Sequence, residues 1–87
     1  MYVIIVYDVN VDRVTKVCQF LRRFLNHVQN SVFEGELTQS EYRRVVKGLG
    51  ELIDENEDSV MIYIFKSEKY VMKQRLGVEK METGNIL

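Results

Sequence analysis

Tyr2-Val-Ile-Ile-Val-Tyr7 is an unbroken apolar stretch near the start of the chain, and most of its residues are β-branched or aromatic. Because both alternating faces of the stretch are apolar, we interpret it as a central strand that is covered on both sides. Asp8-Val9-Asn10 ends the strand with residues typical of a turn. The stretch is far too short to cross a bilayer, and it is a poor signal peptide because no basic residue precedes it. We therefore expect no membrane association.

The length of the chain limits how it can be stabilised. Its 87 residues fit one domain, which we expect to have a core over about residues 1–76 and a docking tail over 77–87. A chain of this size buries only about 60–65% of its unfolded surface. Cys18 is the only cysteine, which excludes internal disulfides and four-cysteine zinc sites. Oligomerisation is the remaining common means of stabilisation, so we expect a homodimer, and the single thiol favours a cytoplasmic location.

The segment after the first strand is predicted to be a helix. Its apolar residues recur at i, i+3, i+4 and i+7 over nearly four turns. Asn10 or Asp12 can cap the first turn, and we expect the helix to end near Asn26. The apolar stripe consists of Val14, Val17, Cys18, Leu21, Phe24, Leu25 and Val28.

A second helix is predicted behind Thr38-Gln-Ser-Glu41, which matches the capping box with Thr at the N-cap and Glu at N3. The helical period continues to Ile53. Gly48 and Gly50 each weaken this helix by roughly 1 kcal/mol relative to alanine. Their presence therefore indicates close packing against a neighbouring element.

Three further segments are interpreted as strands: residues 28–37, with a bulge at Gly35, residues 59–66, and a weaker, edge-like strand at residues 70–76. Residues 59–66 are apolar on both faces, so we expect them to form a second central strand. We interpret the order as β-α-β-β-α-β, an α+β ferredoxin-like sandwich with two helices on one face of an antiparallel sheet. A second copy packed sheet to sheet would cover the other, apolar face.

Charge is balanced in total and segregated along the chain. Twelve Lys and Arg against 13 Asp and Glu give a net charge of -1, which disfavours a globally basic nucleic-acid binder but allows a local basic patch. Acidic residues crowd the end of the second helix. Ser31 can contact phosphate through its hydroxyl or N–H, or simply pair in a strand. The basic residues that can contact phosphate are Arg13, Lys16, Arg22 and Arg23, and a second group is Arg43, Arg44 and Lys47, although a solvated helix face explains both groups equally well.

Asp8 is the sharpest candidate for chemistry, because a carboxylate directly after a central strand lies at the end of the sheet. Two-fold pairing would bring two Asp8 carboxylates together, and such a pair can hold Mg²⁺ with waters and phosphate oxygens. The bound ion can activate water for phosphodiester cleavage. Alternatively, Asp8 only ends a strand and starts a turn, and spacing alone favours this simpler role.

For four other side chains, a purely structural role is an alternative to a functional one. His27 is the only histidine and can act as acid or base near neutral pH, or it is a surface residue favoured by the dipole at the end of the first helix. Cys18 lies on the apolar stripe, so we expect it to fill the core. Tyr7 and Phe33 can support the site by stacking, but core packing explains both.

Three blocks of the sequence resemble the Cas-two family, the second core CRISPR-associated protein family. They are Tyr2-Val-Ile-Ile-Val-Tyr-Asp8, Val28-Gln-Asn-Ser-Val-Phe-Glu-Gly35, and Asp58-Ser-Val leading into Ile62-Tyr63. The blocks have the expected order and spacing, and the match extends over about residues 1–66. The resemblance implies a ferredoxin-like homodimer whose sheets face each other and whose C-terminal strands pair with the partner protomer.

The resemblance also implies a function. The family's aspartate falls on Asp8, one per protomer at the dimer interface, where magnesium is implied. Members are described as metal-dependent ribonucleases or DNases, and as scaffolds on which two CRISPR integrase dimers flank one dimer during spacer acquisition. Phosphate-contacting residues of the family correspond to Lys16 and Arg13. His27 departs from the family pattern, because relatives often have arginine at this position.

The leading prediction is a CRISPR-associated protein of antiviral defence that binds duplex DNA, or single-stranded RNA, and hydrolyses phosphodiester bonds with magnesium. One alternative is a non-catalytic dimeric scaffold that spaces DNA in the integrase complex. Another is a toxin-like ribonuclease of the same fold. A ligand-sensing regulatory domain is weakly supported, since no glycine-rich loop follows the first strand.

Overall fold

The computed structural model describes residues 1–78. The strands in this range form one antiparallel sheet in the order β2-β3-β1-β4. Both helices pack on the same face of the sheet, so the predicted α+β ferredoxin-like fold is confirmed. The elements are β1 (Tyr2–Asp8), α1 (Val11–Leu21), β2 (Asn26–Gln29), β3 (Val32–Glu36), α2 (Gln39–Leu52), β4 (Ser59–Phe65) and a short 3₁₀ helix (Glu68–Tyr70).

β1 is the central strand from which the core is built. It lies between β3 and β4, with Ile5 opposite both Phe33 and Ile62. The odd-numbered residues of β1 point toward the helices and are buried, because α1 and α2 cover this face. The core comprises Val3, Ile5, Tyr7, Val14, Val17, Cys18, Leu21, Leu25, Phe33, Leu37, Val45 and Leu49, which confirms Cys18 as a core residue.

Both helices begin with the expected caps. The Asn10 side chain accepts a hydrogen bond from the Asp12 N–H at 2.9 Å, so Asn10 is the N-cap of α1. At the start of α2, Glu41 N–H donates to Thr38 Oγ1, and Thr38 N–H donates to Glu41 Oε1. This reciprocal pair confirms the predicted capping box. No helix within residues 1–78 is both long and apolar enough to cross a membrane.

The prediction that α1 extends to Asn26 is wrong. The helix ends at Leu21 and tightens into a turn, in which Phe24 N–H donates to the Leu21 carbonyl. Leu25 N–H also donates to the Leu21 carbonyl, and Leu25 is buried. The apolar spacing continues past the helix because the turn keeps one helical hydrogen bond and directs Leu25 into the core.

Residues 28–37 do not form the single bulged strand that we predicted. They belong to a hairpin, β2 and β3, that turns at Asn30 and Ser31, where Ser31 has a φ of 64°. The register shift lies between His27 and Gln29 and not at Gly35. Gly35 instead packs closely against Leu25, since a Cβ there would lie 3.1 Å from Leu25 Cδ2. The missed turn depends on a left-handed serine, which sequence patterns rarely signal.

Two other strand predictions are also corrected. Residues 59–66 were expected to form a central strand, but within residues 1–78 β4 pairs only with β1 and forms the edge of the sheet. Residues 70–76 were expected to form a strand, but they contain the end of the 3₁₀ helix and an extended segment outside the sheet. The docking role predicted for residues 77–87 falls mostly on residues 79–87, which lie outside the described range.

The sheet has an open face, which we define as the side turned away from α1 and α2, carrying Ile4, Val6, Val32, Met61 and Tyr63. Val6, Met61 and Tyr63 are 38%, 54% and 50% exposed. A cavity of about 870 Å³ separates this face from residues 72–76, which run beside it. One apolar side of β4 thus faces the helices, and the other belongs to the exposed apolar surface of the open face.

Candidate functional site

Asp8 is the last residue of β1 and lies opposite Ser59 of β4. Alternation along the strand places its side chain on the same side as Ile4 and Val6, and the residue is exposed. It lines an open depression of about 230 Å³ together with Tyr7 and Ser31. No group within residues 1–78 donates a hydrogen bond to the Asp8 carboxylate, so its oxygen lone pairs are available to a ligand.

Asp8 fits one protein ligand of a magnesium ion. Magnesium is commonly bound through one or two carboxylates, and waters and phosphate oxygens complete the octahedron. Within residues 1–78, no three His, Cys, Asp or Glu side chains lie close enough together to hold a metal ion. A set of three such ligands around Asp8 would therefore need at least one from outside the described part of this chain.

Asp58 is a second carboxylate at the same end of the sheet, because it directly precedes Ser59, the partner of Asp8 in the β1–β4 ladder. Its side chain is fully shielded from solvent. Oδ1 accepts hydrogen bonds from Asn10 N–H at 2.9 Å and Arg13 Nη2 at 3.0 Å. Oδ2 accepts from Arg13 Nε at 2.6 Å and Asp54 N–H at 2.8 Å. These bonds occupy the lone-pair sites of both oxygens, so Asp58 has no capacity left for a metal ion.

The charges of Asp58 and Arg13 stabilise each other. The guanidinium of Arg13 holds the pKa of Asp58 well below its ordinary value, and the backbone N–H groups of Asn10 and Asp54 act in the same direction. Asp58 and Glu57 in turn raise the pKa of Arg13. Both groups of the pair are therefore charged under all ordinary conditions.

Arg13 was predicted to contact phosphate, but here its guanidinium is occupied by carboxylates. It binds both oxygens of Asp58 and also Glu57 Oε1 at 2.9 Å. The phosphate contact stays a prediction, and within residues 1–78 only Nη1 of Arg13 has no carboxylate partner.

The other predicted phosphate ligands lie at different distances from Asp8. Ser31 is adjacent, because its carbonyl accepts a hydrogen bond from Tyr7 N–H at 3.0 Å and it lines the same depression. Lys16 is exposed on α1. Arg22 and Arg23 follow the end of α1, which spans 11 residues. At about 1.5 Å per residue they lie about 16 Å along the helix from its start, so they belong to a separate surface.

That separate surface combines basic and aromatic side chains from the turn after α1 and from α2. Arg23 lies 5.6 Å from the ring centroid of Phe24, and Arg44 lies 5.1 Å from the same ring. Neither arginine forms an ion pair with a carboxylate of residues 1–78. Stacking on the ring holds the guanidinium groups while leaving their N–H donors exposed to solvent.

The three residues predicted to support the site lie in the core. Tyr7 Oη is 3.0 Å from Cys18 Sγ, and burial raises the pKa of Tyr7. Phe33 is fully buried and lies beside Tyr7. His27 stacks on Phe33 with ring centroids 4.3 Å apart, and only 7% of it is exposed. The expected helix-end position of His27 is wrong, because the residue lies in β2.

Sequence reasoning missed a polar cluster on the open face. Glu34 of β3 is buried, accepts a hydrogen bond from Tyr2 Oη and forms an ion pair with Lys73. The ion pair raises the pKa of Lys73. The sequence feature that could have revealed this cluster is Glu34 itself, a charged residue within an otherwise apolar part of a predicted strand. The cluster joins the extended segment after the 3₁₀ helix to the open face.

Comparisons of the sequence with known proteins all identify the same family. A family model described as CRISPR associated protein Cas2 matches residues 1–73. The CRISPR-associated endoribonuclease Cas2 of Pyrococcus furiosus is 55% identical over 87 residues, covering 100% of both chains. That of Methanosarcina acetivorans is 51% identical with the same complete coverage. That of Methanocaldococcus jannaschii is 54% identical, covering 100% of this chain and 76% of the relative.

Solved structures agree with the sequence matches. A crystal structure of Cas2 superposes with a TM-score of 0.85 and 41% identity, covering 100% of this chain and 98% of that one. The crystal structure of Streptococcus pyogenes Cas2 at pH 6.5 gives a TM-score of 0.78 and 31% identity. That match covers 88% of this chain and 100% of the other.

Proposed function

The chain belongs to the CRISPR associated protein Cas2 family, and from this premise we propose that it is a nuclease that hydrolyses phosphodiester bonds at Asp8. Relatives that match this chain over its full length are named CRISPR-associated endoribonucleases. Their names favour RNA as one of the substrates. The observation that carries the proposal is the state of Asp8, an exposed carboxylate without hydrogen-bond donors in residues 1–78, beside an open depression.

We propose that Asp8 holds magnesium. When bound, magnesium supplies a more acidic water and neutralises charge on the phosphate. The chain's own residues bind and orient the substrate. Ser31 borders the depression and can offer its hydroxyl or N–H to phosphate, and the exposed Lys16 offers a positive charge to the nucleic-acid backbone. Tyr7 and Phe33 support the floor of the site through core packing.

A homodimer is part of the proposal, because two copies would supply two Asp8 carboxylates. The open face exposes Val6, Met61 and Tyr63, and a second sheet would bury them. No backbone hydrogen bond joins residues 72–76 to the rest of residues 1–78. Their N–H and C=O groups are therefore available to a strand of a second copy, in keeping with the partner pairing that the family resemblance implies.

The biological role that we propose is antiviral defence, in which the dimer binds duplex DNA and acts with CRISPR integrase dimers during spacer acquisition. The uncompensated arginines Arg23 and Arg44 support contact with a phosphate backbone. A purely structural dimer that spaces DNA is the second candidate. It is favoured by one observation, that residues 1–78 of a single chain hold no three-residue metal cluster.

The two candidates differ in whether Asp8 is needed for chemistry. The purified protein is incubated with labelled single-stranded RNA, single-stranded DNA and duplex DNA, with magnesium or with EDTA. Asp8→Ala should abolish magnesium-dependent cleavage and leave DNA binding and spacer integration with the integrase intact. Asp12→Ala is the matched control, because Asp12 is an exposed carboxylate in the first turn of α1.

Undiminished cleavage by Asp8→Ala would exclude a catalytic role for Asp8. If the wild-type protein cleaves none of the three substrates but retains DNA and integrase, the scaffold candidate replaces the nuclease. Loss of all nucleic-acid binding at low salt by the wild-type protein would contradict both candidates.

A further inference from the structure

We infer that Asp58 and Arg13 are positioning residues that fix the segment carrying Asp8, and that Arg13 acts through Asp58 and not through contact with phosphate. The inference rests on the proposed function in one respect, that Asp8 is the reactive carboxylate. We call the hydrogen-bonded group formed by Asp58, Arg13, Asn10 and Asp54 the Asp58 clamp.

The Asp58 clamp joins three separate parts of the chain through one carboxylate. Asn10 belongs to the connection between β1 and α1, Arg13 to the first turn of α1, and Asp54 to the loop after α2. Asp58 is 45 residues from Arg13 in the sequence, so the clamp is a long-range tertiary contact. The donors are two backbone N–H groups and two atoms of one planar guanidinium. This geometry fixes the relative positions of the bonded groups more strictly than a single point charge would.

Asp8 lies between the two points that the clamp fixes. The connection that follows its own strand is held two residues further on, where Asn10 N–H donates to Asp58 Oδ1 at 2.9 Å. Its neighbouring strand is held at Ser59, which is opposite Asp8 and directly follows Asp58. A displacement of Asp58 therefore moves Asp8 from both sides. An error of about 1 Å in the placement of a reacting group can cost about 100-fold in rate.

The bonding of the clamp argues against direct chemical roles for its members. Asp58 is shielded from solvent and its oxygens are saturated with donors, so it does not bind the metal ion. Arg13 uses Nε and Nη2 on Asp58 and shares Nη2 with Glu57. Only Nη1 of Arg13 has no carboxylate partner among residues 1–78. A phosphate that drew the Nε–Nη2 edge away would leave the shielded Asp58 carboxylate without its cation and with only the N–H donors of Asn10 and Asp54.

The test compares Arg13→Lys and Asp58→Asn with the wild-type full chain. Arg13→Lys keeps the charge but loses the planar fork, and Asp58→Asn places an N–H₂ group against existing donors. For both variants we expect kcat to fall by about 100-fold, with KM and the salt dependence of nucleic-acid binding unchanged. The double variant should lose no more than either single variant, because both remove the same contact.

Glu57→Gln is the matched control, since it removes only the exposed contact of Arg13 and leaves Asp58 bonded. Assays are run well below the melting temperature of each variant. Arg13→Lys covers the case in which Asp58→Asn does not fold.

Direct phosphate contact by Arg13 gives the opposite pattern and would overturn the inference. Asp58→Asn would then release Arg13 and tighten binding. Arg13→Lys would raise KM, and Arg13→Gln would lower the slope of log K against log salt by about 0.9 on duplex DNA or about 0.7 on a single strand.

A second measurement does not depend on catalysis. In ¹H–¹⁵N spectra, the amide signals of Asp8, Val9 and Ser59 should shift in Arg13→Lys and stay in place in Glu57→Gln. Unmoved signals in folded Arg13→Lys would overturn the inference even if the nuclease proposal holds. If the wild-type protein cleaves nothing, the nuclease proposal fails, and shifted signals still support the clamp as the device that positions Asp8.

Discussion

Asp8 and Asp58 are two carboxylates at the same end of the β1–β4 ladder, and their surroundings give them different capacities. Asp8 is exposed and accepts no hydrogen bond within residues 1–78. Asp58 is enclosed and its oxygens accept from backbone and guanidinium donors. The first can bind a ligand from solution, and the second can only hold the chain in place.

The acid side of the stability profile should depend on Asp58. Arg13 holds its pKa well below the ordinary value of 3.8. A carboxyl whose folded pKa is depressed contributes stability that is present above its unfolded pKa and is lost as pH falls through the folded pKa. The free energy of unfolding should therefore fall on acidification below about pH 4, and Asp58→Asn should fall less steeply. Urea unfolding at about pH 6 and about pH 3 measures this difference.

Glu57→Gln is the control for the acid profile, because it leaves the clamp intact. It should keep the wild-type slope. Equal slopes in Asp58→Asn and Glu57→Gln would show that Asp58 does not carry this part of the acid sensitivity.

At the residue scale, the sequence predicted the position of Asp8 but not the role of Asp58. A carboxylate that ends a central apolar strand lies at the end of the sheet, so Asp8 could be located from pattern alone. Asp58 belongs to an acidic run whose members look alike in sequence. In the fold, Asp58 differs from Glu57 because its carboxylate bonds both the Asn10 N–H and the Arg13 guanidinium, and these bonds are tertiary contacts.

At the scale of elements, the contact between the two helices depends on Gly48. A Cβ at this position would lie 2.1 Å from Phe20 Cζ, so the ring of Phe20 would have to move. Gly50 is different, because a Cβ added there would meet no atom of residues 1–78 within 4 Å beyond its chain neighbours and its own helix backbone. The predicted close packing of α2 is therefore confirmed at Gly48 alone.

The two glycines give a paired prediction for stability. Gly48→Ala should lower the free energy of unfolding by about 1–3 kcal/mol, because overpacking outweighs the gain in helix propensity. Gly50→Ala should raise it by roughly 0.5–1 kcal/mol, since only the propensity changes. Urea unfolding at one fixed protein concentration measures both. Changes of the same sign would contradict the assignment of Gly48 to the helix contact.

Element types were largely predictable from the sequence, and element ends were not. The capping box is a local pattern and was placed correctly, and Asn10 is one of the two caps predicted for α1. The hairpin turn was missed because it uses Ser31 at positive φ in place of the glycine that would signal it. The segment at residues 70–76 has the composition of a strand, but no strand within residues 1–78 pairs with it. Composition alone does not show whether a pairing partner is present.

At the scale of the whole molecule, the open face determines the proposed assembly. A charge introduced at its centre should prevent a second sheet from packing there, because the charge would be buried without a partner. We expect Met61→Lys to convert the protein from dimer to monomer at micromolar concentration, as measured by sedimentation velocity. Gln19→Lys is the control, because Gln19 is exposed on α1, and it should remain dimeric.

A monomeric wild-type protein would contradict the proposed dimer directly. A dimer that persists in Met61→Lys would show that the two copies associate through another surface.

The most direct test of the proposed function is the single-turnover rate of cleavage by Asp8→Asn, with magnesium, on a substrate that the wild-type protein cuts. Asparagine keeps the size of the side chain and removes the charge that would hold the ion. The rate should fall by about 100-fold or more, with unchanged affinity for the nucleic acid, while Asp12→Asn retains the wild-type rate. Cleavage by Asp8→Asn at the wild-type rate would contradict the assignment of Asp8 as the reactive carboxylate.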